Sequence, residues 1–103
     1  LEVEYVYIIG IPGPDGTLAR GSSNTLQTLA EMFNFLDEAK NPSVVAIVGH
    51  TDCAGNPVSD EDHYADVRTA KKTIQSWGFG GRVVGFVAER GETDGEWTLN
   101  ECE

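Results

Sequence analysis

The stretch Ser43-Val-Val-Ala-Ile-Val-Gly-His-Thr-Asp-Cys-Ala-Gly-Asn-Pro-Val58 decides the fold. It begins with an apolar, largely β-branched run, Val44 to Val48, which Gly49 ends. A short continuous apolar run of this kind predicts a strand buried on both faces, as in a parallel sheet. His50 and Cys53 follow directly, and ligands in open parallel sheets bind just beyond the carboxyl ends of the strands. The stretch therefore predicts a central strand with a candidate site at its end.

Two regular elements are predicted before this strand. Val3 to Ile11 is dense in Val, Ile and Tyr, which favours a first strand. The Pro and Gly residues of Ile11 to Thr17 then indicate a loop. A helix is expected from about Thr25 to Ala39, where apolar residues recur at helical spacing, and Ser22 is one of three neighbouring residues that can cap it.

One helix and two strands are predicted after the central strand. Ser59 and the acidic residues behind it can cap a second helix over roughly Glu61 to Trp77. Arg82 to Ala88 is predicted as a third strand, and Gly95 to Leu99 as a short edge strand. This order predicts the α/β class, with a three-layer sandwich in which helices flank a mainly parallel sheet of about four strands. We expect residues 1–103 to form a single domain.

Charge and cysteine content exclude several classes of partner. The chain of 103 residues carries 17 acidic and 7 basic side chains, a net charge of -10. Nucleic acid and anionic membrane surfaces are therefore not expected as partners, and no apolar run is as long as a membrane span. Two cysteines are too few to indicate a secreted disulfide scaffold, so a reducing, cytoplasmic location is expected.

His50 and Cys53 form a candidate zinc site. Zn²⁺ takes tetrahedral nitrogen and sulfur ligands, and this spacing after a strand can turn both side chains towards one ion. The alternative is a buried cysteine beside a capping histidine. Catalytic zinc usually has three protein ligands. The chain offers four candidates for the third: Cys102, His63, Asp52 and Asp15.

For three of the four candidates, the position in the sequence favours a particular role. Cys102 is the best chemical match, but it lies in an acidic tail of a kind that is usually frayed. His63 lies at the start of the second predicted helix, where a solvent-facing or capping role is expected. Asp52 stands between the two ligands and is expected to orient one of them through a hydrogen bond.

The segment Val45-Ala-Ile-Val-Gly-His-Thr-Asp-Cys-Ala-Gly55 resembles the second zinc motif of β-class carbonic anhydrases, a strand followed by Gly-His-x-x-Cys. The Pro-Gly-Pro-Asp loop and the Cys-Ala-Gly-Asn-Pro continuation are similar to a compact, divergent branch of that family. The resemblance implies that His50 and Cys53 are zinc ligands. The family also has a Cys-x-Asp-x-Arg motif at the end of an earlier strand. That motif is absent from the given sequence. We expect the strand that would carry it to precede Leu1; the alternative is that the chain is a degenerate member of the family.

The resemblance also implies a function. It is the reversible hydration of CO₂ to bicarbonate by zinc-bound hydroxide, since Zn²⁺ lowers the pKa of bound water from about 15.7 to about 7. A homodimer or higher homo-oligomer is implied as well. Two alternatives stay open: a non-catalytic zinc-binding or assembly homologue, and a related zinc hydrolase of another small electrophile such as carbon disulfide.

The glycine-rich segment from Gly10 to Gly16 is a candidate anion-binding loop. Its turn residues can form a backbone nest for an anion such as bicarbonate, and a plain surface loop is the alternative. Because the segment follows a predicted parallel strand, we expect it near His50. The candidate residues for the anion loop, or for orienting the metal ligands, are Asp52, Gly13, Asp15, Gly16 and Gly55.

Overall fold

The computed structural model describes residues 5–93 and 95–103. Its elements follow the chain in the order α1 (Pro14–Arg20), α2 (Ser23–Lys40), β1 (Val44–His50), α3 (Asp60–Gln75), β2 (Arg82–Arg90) and β3 (Trp97–Cys102). The predicted α/β class is confirmed. The two long helices and the last three predicted strands lie where the sequence predicted them, with ends that differ by a few residues.

The three strands form one mixed sheet in the order β1-β2-β3. β1 and β2 are parallel, and their register runs from Val44 opposite Arg82 to His50 opposite Ala88. β2 and β3 are antiparallel. The predicted mainly parallel sheet of about four strands is therefore not confirmed.

The predicted strand at Val3 to Ile11 is not present in the described part of that segment. Residues 5–11 have no regular secondary structure, and residues 3 and 4 lie outside the described residues. Ile8 is 83% exposed. Together with α2 and β1, the segment lines an apolar cavity of about 630 Å³ instead of pairing with β1. Its high β propensity is not sufficient, because a strand also needs a partner edge.

The predicted loop at Ile11 to Thr17 is wrong, because the helix α1 begins inside it. Gly13 is the N-cap, with a left-handed φ of 52°. Pro14 takes the first helical position, where its missing N–H is no loss. Asp15 in the first turn and Arg20 in the last turn both suit the helix dipole.

Serine residues cap the two longer helices. The Ser22 hydroxyl accepts a hydrogen bond from the Thr25 N–H at 3.2 Å, so Ser22 is the cap among the three candidates that the sequence left open. The Ser59 hydroxyl accepts one from the Asp62 N–H at the same distance. Within residues 5–93 and 95–103, no helix combines the length and the apolar character that crossing a membrane requires.

The helices of the described chain pack on one face of the sheet. α1 and α3 both contact β1, and α3 also covers β2. The main core joins them to α2 through Leu18, Leu29, Phe33, Ile47, Ala70, Ile74 and Val83. The three-layer sandwich is therefore not confirmed, because the described helices and the sheet form two layers.

β1 is not buried on both faces, although the sequence predicted that it would be. Ile47 and Gly49 are buried against the helices, whereas Val48 is 45% exposed on the opposite face. We call that opposite face the open face. Because side chains alternate along a strand, the register places His50, Trp97 and Leu99 on the open face as well.

Candidate functional site

The turn that follows β1 is tied to the end of β2. The Thr51 N–H donates to the Ala88 carbonyl at 2.9 Å. In return, the Thr51 hydroxyl accepts a hydrogen bond from the Arg90 N–H at 3.0 Å. Asp52 then turns the chain with a left-handed φ of 55°. The sheet therefore holds the backbone between His50 and Cys53 in place.

His50 is the last residue of β1, and one of its ring nitrogens has a fixed role. Nδ1 lies 2.9 Å from the carbonyl oxygen of Thr51. Because a carbonyl oxygen can only accept, Nδ1 carries a proton, and in the neutral imidazole Nε2 is then the nitrogen with the lone pair. Histidines that bind metals are held in the same way, with the second ring nitrogen donating to a carbonyl or carboxylate. The Nε2 atom of His50 is therefore suited to bind a metal.

Cys53 lies three residues further on, past the turn at Asp52. Its side chain is 6% exposed, and its carbonyl accepts a hydrogen bond from the Asn56 N–H. An imidazole nitrogen and a thiolate are the donor types that Zn²⁺ prefers. These two residues therefore fit zinc in donor type. In the described part of the chain, however, no group of three or more His, Cys, Asp or Glu residues could hold a metal ion.

Cys102 cannot complete the site with His50. It pairs with Gly85, three residues before the Ala88 that pairs with His50, which separates them by about 10 Å along the strand. Its side chain also lies on the helix face, where Sγ contacts the Tyr64 carbonyl at 3.3 Å. The expectation of a frayed tail is wrong here, because Cys102 is buried in β3.

The Asp52 carboxylate has a partner other than the two predicted ligands. Its Oδ2 lies 2.8 Å from the Arg90 Nη1, and both side chains are largely exposed. This ion pair adds a third link between the end of β2 and the turn from His50 to Asn56, which we call the ligand turn because it carries both predicted ligands. In the described part of the chain, no hydrogen bond joins the Asp52 carboxylate to His50 or Cys53, so the alternative in which it orients one of them is not confirmed.

Asp15 and His63 form a buried pair that the sequence did not predict. His63 Nδ1 lies 2.7 Å from Asp15 Oδ2, and neither side chain is more than 1% exposed. The capping or solvent-facing role expected for His63 is therefore wrong. Among the described residues, the buried atoms Asp15 Oδ1 and His63 Nε2 have no hydrogen-bond partner. The pair joins α1 to the first turns of α3.

Asp15 also packs against the glycine that precedes His50. A Cβ atom added to Gly49 would lie 2.7 Å from Asp15 Oδ2. Any larger residue at position 49 would clash with the Asp15 carboxylate. Gly49, which precedes His50 in the motif, therefore has a packing role. The Asp15–His63 pair thus lies directly behind the end of β1.

The predicted anion nest is filled by the chain itself. A Cβ atom on Gly13 would lie 2.5 Å from the Gly55 carbonyl oxygen, and one on Gly16 would lie 2.5 Å from Cγ of Asn56. The segment that contains Gly13 and Gly16 therefore packs tightly on the ligand turn. It lies near His50, as expected, but its glycines contact protein.

A second polar network, also not predicted, joins Arg20, Asn56 and Asp66. Arg20 pairs with Asp66 Oδ1, and its Nη2 donates to Asn56 Oδ1 at 2.8 Å. Asn56 Nδ2 donates to Asp66 Oδ2 at 2.9 Å. Burial raises the pKa of Asp66, but the hydrogen bonds from Arg20 and Asn56 outweigh it, so the pKa lies below its ordinary value. The hydrogen bond to Asp66 raises the pKa of Arg20. The network anchors the ligand turn to α1 and α3.

Comparison with known protein families gives one match. Residues 1–99 match the family described as "Putative carbonic anhydrase". The match includes β1, the turn from His50 to Asn56, and both buried polar networks. No curated protein and no solved structure matches the chain.

Proposed function

The chain belongs to the family described as "Putative carbonic anhydrase", and from that membership we propose that it hydrates CO₂ reversibly to bicarbonate with zinc held by His50 and Cys53. Zinc at this position would supply an acidified water for attack on CO₂. The observation that carries the proposal is the hydrogen bond from His50 Nδ1 to the Thr51 carbonyl. It leaves Nε2 as a free nitrogen donor three residues from a buried thiol.

The chain's own residues would serve this reaction by holding the two donors in place. The Thr51 carbonyl fixes the tautomer of His50. The Thr51 backbone and hydroxyl tie the turn to β2. Asn56, bound to Arg20 and Asp66, holds the far end of the turn. A turn restrained at both ends loses little conformational entropy when a metal binds.

The remaining donor would come from a strand at the free edge of β1. Among the described residues, β1 pairs only with β2, so its other edge is open to a further strand. A parallel strand added there would end beside His50, because the carboxyl ends of parallel strands meet at one edge of a sheet. We propose that such a strand brings the third protein ligand that catalytic zinc requires.

Metal analysis and CO₂ hydration of the purified gene product test the proposal. We expect close to one zinc per chain and hydration above the buffer rate. His50→Ala should lose both, whereas Leu99→Ala, an exposed residue on the same face of the sheet, should keep both. Full zinc occupancy without hydration above buffer would contradict the proposed reaction.

A non-catalytic zinc-binding or assembly homologue is the second candidate. It is favoured by one observation, the lack of three clustered donors in residues 5–93 and 95–103. This candidate gives bound zinc, or an empty site, without turnover. The same experiment separates the two, since hydration that depends on His50 excludes the second.

A further inference from the structure

Trp97 contacts the imidazole of His50. The two ring centroids lie 5.9 Å apart, and the ring planes meet at 84°, an edge-to-face arrangement. Trp97 is the first residue of β3, and it pairs with Arg90 at the end of β2. The antiparallel pairing of β2 and β3 therefore positions Trp97 close to the end of β1, where His50 lies.

An exposed imidazole at a strand end is otherwise free to turn. The last side-chain torsion of histidine is broad and roughly two-fold, so the ring can turn over, which moves Nδ1 away from the Thr51 carbonyl and puts Cδ2 in its place. The hydrogen bond to the Thr51 carbonyl opposes this exchange from one side. The edge-to-face contact with Trp97 restrains the ring from another direction.

We infer that Trp97 is a positioning residue for His50, which keeps Nδ1 on the Thr51 carbonyl and so leaves Nε2 as the metal donor. Only one part of this inference, that Nε2 binds a metal, rests on the proposed function. The orientation of the imidazole can be measured without any ion.

The first experiment measures the imidazole in the metal-free protein. Nitrogen-15 NMR of the His50 ring should give a single tautomer, protonated at Nδ1, in the wild type. Trp97→Ala should give a mixture of both tautomers, and Trp97→Phe, which keeps an aromatic edge, should restore the single form. Leu99→Ala is the matched control, because Leu99 is apolar, exposed and on the same strand and face. An unchanged single tautomer in Trp97→Ala would overturn the inference.

The second experiment measures metal binding with Co²⁺ as the probe, without relying on activity. Co²⁺ at His50 should quench part of the tryptophan fluorescence in the wild type. Trp97→Phe should lose that part, because the remaining Trp77 lies in the core beside Phe33. Visible absorption should show a roughly tenfold weaker Co²⁺ affinity in Trp97→Ala, as for other residues that orient a metal-binding histidine, and little change in Trp97→Phe.

The two experiments separate failure of the inference from failure of the proposed function. If the wild type binds no Co²⁺ or Zn²⁺, the zinc proposal fails, while the tautomer measurement still decides the role of Trp97. If Co²⁺ binds equally well to wild type and Trp97→Ala, the positioning role is overturned, while the zinc site stands.

Discussion

His63 Nδ1 lies 2.7 Å from Asp15 Oδ2, both side chains are buried, and Asp15 packs against the glycine that precedes His50. Removing one member of a buried hydrogen-bonded pair leaves the other without compensation, which costs more than the pair itself contributes. The pair links α1 to α3 across the end of β1. Its loss should therefore affect the whole fold as well as the site.

Asp15→Ala should lower the free energy of unfolding by about 1–3 kcal/mol, because it leaves a buried nitrogen of His63 without its hydrogen-bond partner. Urea unfolding checks the value. Glu38→Ala removes an exposed acidic side chain from α2 and should change the stability by less than about 0.5 kcal/mol. A double-mutant cycle with His63→Ala should give a coupling energy above about 1 kcal/mol. Additive effects of the two substitutions would contradict the pairing.

The burial of His63 was predictable in principle. His63, Val67, Ala70 and Ile74 are spaced as one face of a helix, and all four are buried. A polar residue on such a face needs a buried partner. The sequence alone did not reveal that partner, because Asp15 lies 48 residues away in a segment whose Pro and Gly residues indicated a loop.

Gly49→Ala should destabilise the protein by about 1–3 kcal/mol, because the added methyl group would meet the Asp15 carboxylate at 2.7 Å. Thermal or urea unfolding measures the loss. Gly10→Ala is the matched control, since a Cβ atom there meets nothing within 4 Å, and it should have little effect. Equal stability of the two variants would show that Asp15 does not pack on Gly49 in solution.

Arg20→Gln should make stability less dependent on pH in the acid range. The pKa of Asp66 lies below its ordinary value, so Asp66 contributes stability above the unfolded pKa of about 3.9, and this is lost as the pH falls through the folded pKa. Burial raises the pKa of Asp66, and the hydrogen bond from Arg20 lowers it. Without Arg20, the pKa of Asp66 in the folded protein therefore rises.

At pH 7, Arg20→Gln should therefore unfold at a lower urea concentration than the wild type. At pH 3, the difference between the two midpoints should be smaller. Lys72→Gln removes a positive charge from an exposed position on α3 and serves as the control. It should show no such narrowing. A difference for Arg20→Gln that is the same at both pH values would exclude the Asp66 contribution.

The sequence predicted the two long helices and the strands from residue 44 onwards, because each has a clear periodicity or cap. It did not predict the burial of β1, since an apolar run does not reveal whether one or both faces of a strand are covered. Val48 shows this, with 45% of its surface exposed. Residues 5–11 likewise have strand propensity without a paired edge. In both cases the outcome depends on what packs against the segment or pairs with it, which the β propensity of the segment does not reveal.

Thr51→Val should lower the free energy of unfolding by about 1–3 kcal/mol, because it removes the hydroxyl that accepts a hydrogen bond from the Arg90 N–H at a buried position. Thr51→Ser keeps the hydroxyl and should retain most of the stability. Hydrogen exchange at the Arg90 amide should quicken in the valine variant and stay slow in the serine variant. Equal exchange in both variants would mean that the hydroxyl does not hold the ligand turn on β2. Faster exchange confined to the valine variant would identify this hydrogen bond as one of the links that restrain the backbone between His50 and Cys53.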